Sequence, residues 1–221
     1  MIEYSPLREN WFYSRVHIPN LEIIQSEMLA CCESTTHKKV AYNSQYVNIF
    51  KKDMDQSMYP ATIEYLKSVG IYEKFFRILF TQSKPTVTVD TEKTTDKPAV
   101  HIDTIDPYRC QFSLNIPLEY CEKTYTGFYK TSHPELLKPA FAENDYRHAG
   151  NFAWMPAEFA EEITRAEVYG PMLVNTTVLH RAISDEPRRK ICCFRFSPEL
   201  DYDDLINIGI ENPFIQEDNY G

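Results

Sequence analysis

The chain has 221 residues, of which 43% are hydrophobic and 14% aromatic, so it holds enough apolar material for one packed domain. Its formal net charge is −9, and no basic stripe of the kind that binds phosphate backbones is visible. These values argue against intrinsic disorder and disfavour nucleic acid as a partner.

The first residues carry charges throughout and lack the apolar run of a signal peptide, and no stretch approaches 18 apolar residues. The six cysteines include the adjacent pairs Cys31-Cys32 and Cys192-Cys193, and no C-x-x-C motif is present. Adjacent cysteines are poor disulfide partners, so we expect reduced thiols. The sequence therefore predicts a cytoplasmic protein that does not associate with membranes.

Residues 1–84 are expected to form helices and a supporting strand. Apolar residues at helical spacing predict a helix over 21–32, and alternating residues predict a strand over 40–50. The segment 60–70 opens with proline and ends with glycine, which indicates another helix. A further helix is predicted over 72–80. We expect these helices to pack outside a sheet.

Between residues 85 and 200 short β-rich runs alternate with turns, a pattern typical of an antiparallel sandwich or barrel. The predicted strands cover 85–92, 99–104, 109–118, 124–130, 171–182 and 189–196. An insertion over 131–170 interrupts them and has a helical pattern over 156–167. Long insertions in compact domains are often functional. Residues 201–221 are expected to form a C-terminal tail of the same single domain.

A candidate metal site begins with the triplet His101-Ile102-Asp103 in a predicted strand. Residues two apart in a strand point to the same face, so an imidazole and a carboxylate are delivered together. His180, at the end of another predicted strand, can supply a third ligand. Two histidines and one carboxylate, with open positions, are the ligands of non-haem Fe(II) oxygenases. The triplet also occurs by chance, and histidines in half-buried strands are often only hydrogen-bonded.

An arginine lies nine residues beyond the last of these histidines, at the start of an apolar strand. The guanidinium of Arg189 is suited to binding a dicarboxylate through two hydrogen bonds, although it could also be a solvated charge at a strand end. Alternation in the strand 109–118 places Gln111, Ser113 and Asn115 on one face. That row could line a polar interior, or it could face water on an exposed sheet.

This pattern of histidine, aspartate, distal histidine and arginine resembles the Fe(II)/2-oxoglutarate-dependent dioxygenases, over roughly residues 86–200. The segments RCQFSLNIPL, TGFY and GPMLVNTTVLHRA are similar to successive strands of that family. The prolyl-hydroxylase-like and phytanoyl-hydroxylase-like branches are the most similar. The spacing of 77 residues from Asp103 to His180 is longer than usual there, and the insertion would account for it.

The resemblance implies a mainly β, α+β fold, namely a double-stranded β-helix (a jelly-roll or cupin-like barrel) with N-terminal helices outside. It implies that Fe(II) is held by His101, Asp103 and His180. It also implies that 2-oxoglutarate pairs with Arg189 and accepts hydrogen bonds from Ser113 or Asn115 and from Tyr129. With O₂, the expected reaction converts 2-oxoglutarate to succinate and oxidises a substrate. The carboxylate ligand favours hydroxylation over halogenation.

The substrate is open at this stage and could be a small molecule, a peptide or a protein side chain. Arg147 and Trp154 in the insertion are candidates for contacting it. Two other functions fit the same residues. One is a cupin-like metal enzyme that does not use 2-oxoglutarate, and the other is a binding module on the same fold that no longer turns over.

Overall fold

The computed structural model describes residues 11–34, 39–41, 44–83, 99–103, 112–140, 152–184, 186, 188–197, 200, 203–205 and 215–220. Helices α1 and α2 span Leu21–Ser34 and Pro60–Ser68. The strands are β1 Trp11–Val16, β2 Lys39–Ala41, β3 Ser44–Phe50, β4 Phe75–Ser83, β5 Ala99–Ile102, β6 Phe112–Glu119, β7 Thr124–Lys130, β8 Lys138–Ala140, β9 Phe152–Pro156, β10 Glu161–Glu167, β11 Met172–Asn175, β12 Leu179–Ser184, β13 Lys190–Phe196 and β14 Ile215–Tyr220.

The described strands form two antiparallel sheets. The first sheet has the order β14-β1-β11-β6-β13-β4-β3-β2, and the second has the order β10-β7-β12-β5-β9-β8. From β4 to β13 the chain passes repeatedly from one sheet to the other. As a result, the strands β11-β6-β13-β4 of the first sheet face the strands β10-β7-β12-β5 of the second. Two four-stranded sheets connected in this way are a double-stranded β-helix, or jelly roll. The predicted fold class is therefore confirmed.

The two helices cover the outer face of the first sheet. Ile24 and Met28 of α1 lie one turn apart and are fully buried, as is Leu66 of α2. They share one apolar cluster with Leu114 of β6 and Phe194 of β13. Helices at both predicted positions are thus confirmed outside the sheet. Within the described residues, neither helix is long and apolar enough to cross a membrane.

The space between the sheets has an apolar side and a polar side. On the apolar side, Phe128 of β7 stacks on Tyr13 of β1, with ring centroids 5.9 Å apart, and Val174 of β11 joins them. Ser113 and Arg195 are register partners on β6 and β13. They lie on the inner face because their neighbours in sequence face the helices. The described part of the chain therefore holds buried polar side chains between the sheets.

Two predicted helices are wrong, because the segments are strands. The segment 72–80 contains most of β4, which pairs with β3 and β13. It is buried on both faces because it lies between the helices and the second sheet, and such a mostly apolar run does not distinguish a helix from a buried strand. The segment 156–167 forms a short 3₁₀ turn over Ala157–Phe159 and then the edge strand β10.

Two predicted strands are each interrupted in the structure. The segment 40–50 forms the hairpin β2-β3, and the segment 171–182 forms β11 and β12, which lie in different sheets. The predicted insertion adds β8, β9 and β10 to the second sheet, and the predicted tail contains β14. The predicted strand 85–92 lies outside the described residues. The described cysteines are buried free thiols, namely Cys31, Cys32, Cys121, Cys192 and Cys193.

Candidate metal centre

The predicted ligands come together at one end of the space between the sheets. His101 of β5 and His180 of β12 are register partners on neighbouring strands, so their side chains lie on the same face. Their ring centroids are 4.5 Å apart. Asp103 follows β5 immediately, and one nitrogen or oxygen atom from each residue lies within 4.8 Å of the others. The strand β5 with the residue after it, and the neighbouring strand β12, therefore carry all three potential ligands.

The distances fit a divalent metal ion with two imidazole ligands and one carboxylate. His101 Nε2 lies 3.3 Å from Asp103 Oδ1, and His180 Nε2 lies 3.7 Å from Asp103 Oδ2. Ligands at right angles on an octahedral ion, each about 2.1 Å from the metal, lie about 3 Å apart. The donors thus need only small shifts to share an ion. Two histidines and one carboxylate on one face leave three positions for other ligands.

Each histidine is prepared for ligation in its own way. His180 Nδ1 is 2.8 Å from the carbonyl oxygen of Val178, to which it donates, so Nε2, which faces Asp103, is the nitrogen available to a metal. Burial and the neighbouring His180 lower the pKa of His101, outweighing the opposite effect of Asp103. His101 is therefore neutral at neutral pH, the form that binds a metal.

Asp103 is held by an arginine that the sequence analysis missed. Arg195 Nη2 lies 2.5 Å from Asp103 Oδ2, and both side chains are largely buried. Burial raises the pKa of Asp103, but Arg195 and the two histidines more than offset this and hold it well below its usual range. A signal was present, because alternation in the last predicted strand places Arg195 on the same face as Arg189.

The loop between β11 and β12 fixes the backbone of the metal site. Asn175 is 1% exposed, and its Oδ1 accepts hydrogen bonds from Thr177 N and Oγ1. Its Nδ2 donates to the carbonyl oxygen of Trp11. The carbonyl oxygen of Thr176, inside this turn, accepts from Asp103 N at 3.0 Å. The turn that takes the chain from one sheet to the other therefore also holds the aspartate.

Three of the residues predicted to contact 2-oxoglutarate lie on the inner face of the first sheet. Arg189 is 6% exposed, and with Arg195 its charge opposes the burial that raises the pKa of the inner thiol of Cys193 to about 11. Ser113 Oγ donates to Asn115 Oδ1 at 2.7 Å, which leaves the Asn115 amide as a donor. Asn115 is the register partner of Cys193. Ser113 and Asn115 of the predicted polar row are thus internal.

The structure corrects the placement of Tyr129. Its register partner is Leu179, and both belong to an apolar cluster on the outer face of the second sheet. Tyr129 Oη donates to Glu162 Oε2 at 3.0 Å, and the ring covers Gly127, where an added Cβ would lie 2.9 Å from that hydroxyl. Its neighbour Phe128 points inward instead, so Tyr129 does not face the space in which 2-oxoglutarate was expected.

Of the two candidates for substrate contact, Trp154 is close to the metal ligands. It is the register partner of His101 on β9 and is partly buried, so its side chain lies beside the imidazole on the same face. Arg147 and Gln111 lie outside the described residues.

The sequence matches no protein-family model and no curated protein. Solved structures similar to this chain include a Pseudomonas putida prolyl-4-hydroxylase, at 11% identity and a TM-score of 0.44, covering 86% of this chain and 93% of that one. Another is the non-heme alpha ketoglutarate dependent carbocyclase SnoK from nogalamycin biosynthesis, at 12% identity and a TM-score of 0.49, covering 86% and 81%.

A third is the epimerase SnoN, solved with Fe3+, alpha ketoglutarate and nogalamycin RO, at 10% identity and a TM-score of 0.47, covering 87% of this chain and 81% of that one. Alpha ketoglutarate is another name for 2-oxoglutarate. Such low identities and TM-scores give no basis for transferring an activity. The fold assignment rests on the strand order, and the candidate site rests on the three converging ligands.

Proposed function

We propose that this protein is a non-haem Fe(II)- and 2-oxoglutarate-dependent oxygenase that hydroxylates its substrate. The observation that carries the proposal is the convergence of His101, Asp103 and His180 between the sheets, with one donor atom of each within 4.8 Å of the others. When bound there, Fe(II) would supply activation of O₂ coupled to the decarboxylation of 2-oxoglutarate to succinate. The protein supplies the positions of the ligands, a buried anion site and exclusion of water.

Arg189 would bind the distal carboxylate of 2-oxoglutarate. It precedes Arg195 by six residues along an extended segment, which corresponds to about 20 Å between the two Cα atoms. Arg195 reaches the metal ligands, whereas Arg189 lies near Cys193, farther along the inner face. The cosubstrate would lie along this face, between the metal and Arg189. Asn115, whose amide can donate, and Ser113 border the same path.

The substrate would approach the metal beside Trp154. This side chain neighbours His101 across the β5-β9 pair, and an indole ring offers a flat apolar surface with one hydrogen-bond donor. The acidic net charge of −9 disfavours nucleic acid. We therefore propose a small molecule or a peptide as the substrate.

The decisive experiment is anaerobic spectroscopy with Fe(II) and 2-oxoglutarate. The proposal expects a weak metal-to-ligand absorption band that requires both components and disappears in His101→Ala. His133→Ala is the control, because this histidine is exposed and its imidazole contacts Glu135 and Phe159 rather than the three candidate ligands. A protein that binds Fe(II) without the band would instead be a metal enzyme that does not use 2-oxoglutarate.

Turnover separates an oxygenase from a binding module. Aerobic incubation with Fe(II), 2-oxoglutarate and sets of candidate metabolites or peptides should release succinate above the background with at least one set. If the absorption band forms and no set stimulates succinate release, an inactive binding module becomes the better description.

A further inference from the structure

We propose that Arg195 is a positioning residue that holds Asp103 by one oxygen, so that only the other oxygen is presented to the metal. This inference rests on the metal site proposed above. The guanidinium comes from the first sheet, at the inner face of β13, and reaches across to the carboxylate at the end of β5 in the second sheet. The contact therefore links the two sheets at the ligand itself.

The two oxygens of Asp103 have different surroundings. Oδ2 faces Arg195 at 2.5 Å and His180 Nε2 at 3.7 Å, while Oδ1 faces His101 Nε2 at 3.3 Å. A short charge-assisted hydrogen bond to Oδ2 competes with ligation through that oxygen. A carboxylate that bound through both oxygens would take a fourth position on the ion. Holding Oδ2 thus keeps three positions open for cosubstrate and O₂.

Stability is a weak explanation for this ion pair. The cost of removing two charges from water often offsets their attraction, so buried pairs contribute little to folding on balance. A hydrogen-bonded partner that fixes the orientation of a metal ligand is a common requirement, and its loss typically weakens metal binding about 10–100-fold. Arg195 fits this second description, because its guanidinium contacts a predicted ligand directly.

The direction in which metal affinity changes when Arg195 is substituted distinguishes a positioning role from a purely electrostatic one. Arg195 is a cation beside a cation site, so removing its charge alone should make a divalent metal bind more tightly. Losing a positioning contact should make the metal bind more weakly. Arg77 provides a matched control, because it is the register partner of Arg195 on β4 and is equally buried, at 8% exposed. The guanidinium that reaches Asp103 is that of Arg195.

The test measures Co(II) and Mn(II) binding to the full-length chain by calorimetry, with Co(II) absorption as a record of ligand geometry. Arg195→Gln should weaken both metals about 10–100-fold and change the Co(II) spectrum. Arg195→Lys keeps the charge but not the planar guanidinium with its several donors, so it should lose less metal affinity than Arg195→Gln. Arg77→Gln should bind at least as tightly as the wild type. Thermal melts accompany each variant to report folding.

Several outcomes separate the two proposals. If the wild-type protein binds neither metal, the proposed metal site fails. If it binds and Arg195→Gln binds equally or more tightly, the positioning role is overturned. If Arg195→Gln does not fold, Arg195→Met takes its place, because it also lacks the charge-assisted hydrogen bond to Asp103, and metal binding as tight as in the wild type would overturn the role.

Discussion

Two consecutive arginines lie in opposite environments at the start of β13. Arg189 is buried on the inner side, whereas Arg188 is exposed, pairs with Glu186 at 3.0 Å and lies over the ring of Tyr120. Both residues lie in the turn that leads into β13, where Arg189 N donates to the carbonyl oxygen of Glu186. The pair therefore allows the role of one buried guanidinium to be tested against a neighbour of the same chemistry.

We expect Arg189→Ala to raise the 2-oxoglutarate concentration required for the absorption band, or for turnover, about 100-fold. Two charge-assisted hydrogen bonds, each contributing about 1.5 kcal/mol, account for a factor of this size. Arg188→Ala should change the requirement little. A titration of each variant with 2-oxoglutarate measures this, and Fe(II) binding checks that the metal site is intact. The reverse result would assign the cosubstrate contact to Arg188.

Cys193 should be inert to alkylation in the folded protein. Burial raises its pKa to about 11, so roughly one thiol in a thousand is ionised at pH 8. The folded protein favours the protonated thiol of Cys193. The free energy of unfolding is therefore unaffected by this thiol below the pKa of the unfolded chain, about 8.5, and decreases as pH rises from there toward 11. Iodoacetamide labelling with mass spectrometry should show Cys193 modified only after denaturation. Rapid labelling of the native protein at pH 8 would contradict this.

At the scale of elements, the turn between β11 and β12 has two roles. It carries the chain from the first sheet to the second, and it supplies the carbonyl oxygen of Thr176 that accepts from Asp103 N. The buried side chain of Asn175 stabilises the turn, because it accepts a hydrogen bond from Thr177 N and donates one to the carbonyl oxygen of Trp11. Asparagine commonly stabilises turns through such bonds to the backbone. Its loss should therefore affect both folding and the metal site.

We expect Asn175→Ala to lower the free energy of unfolding by about 3 kcal/mol, because buried groups that bond to this side chain lose a partner. For a chain of this size the melting temperature should fall by roughly 6–12 °C. Asn175→Asp keeps the acceptor for Thr177 but turns an oxygen toward the carbonyl oxygen of Trp11 and buries a charge, so it should be at least as destabilising. Thermal melts monitored by circular dichroism measure both. Equal stability of Asn175→Ala and the wild type would show that the turn does not depend on this residue.

The two segments that were predicted as helices and form strands, β10 and β4, show that strand pairing can override local sequence preference. The segment with β10 is rich in glutamate and alanine, which favour helices, yet it pairs with β7 as a sheet edge. Its exposed charges, including Glu161 and Arg165, suit an edge strand because they discourage pairing with other chains. In β4 both faces are covered, so its apolar run lacks the alternation that identifies a strand exposed on one side.

At the scale of the whole molecule, the proposed metal ligands His101 and His180 lie on adjacent strands, and Arg195 joins the two sheets through Asp103. A metal that binds only the folded chain should therefore stabilise it. At a free metal concentration 100 times the dissociation constant, the gain is about 2.7 kcal/mol. This corresponds to a rise of about 5–10 °C in melting temperature.

Melts with Mn(II) or Co(II), and after removal of the metal with EDTA, measure this rise. It should be absent in His180→Ala and retained in His133→Ala, whose imidazole is exposed. Stabilisation that persists without His180 would place the metal elsewhere.

The mainly β architecture and the closeness of His101 to Asp103 were predictable because they depend on short-range pattern. The triplet His101-Ile102-Asp103 spans the end of β5 and the residue after it, and the alternation expected of a strand places both side chains on one face. Tyr129 was misplaced because a shift of one residue reverses the face, and the sequence does not state whether Phe128 or Tyr129 points inward. Arg195 was missed because its partner lies 92 positions away along the chain and in the other sheet.

The position of Trp154 beside His101 gives the protein an intrinsic optical reporter. The chain has two tryptophans, and the other, Trp11, is in the helix-facing core, where its Nε1 donates to Ser14 Oγ. A paramagnetic ion at the three ligands would quench the fluorescence of Trp154 far more than that of Trp11. Titration with Fe(II) or Co(II) should therefore show partial quenching that Trp154→Phe abolishes, which would report metal occupancy in the unlabelled protein.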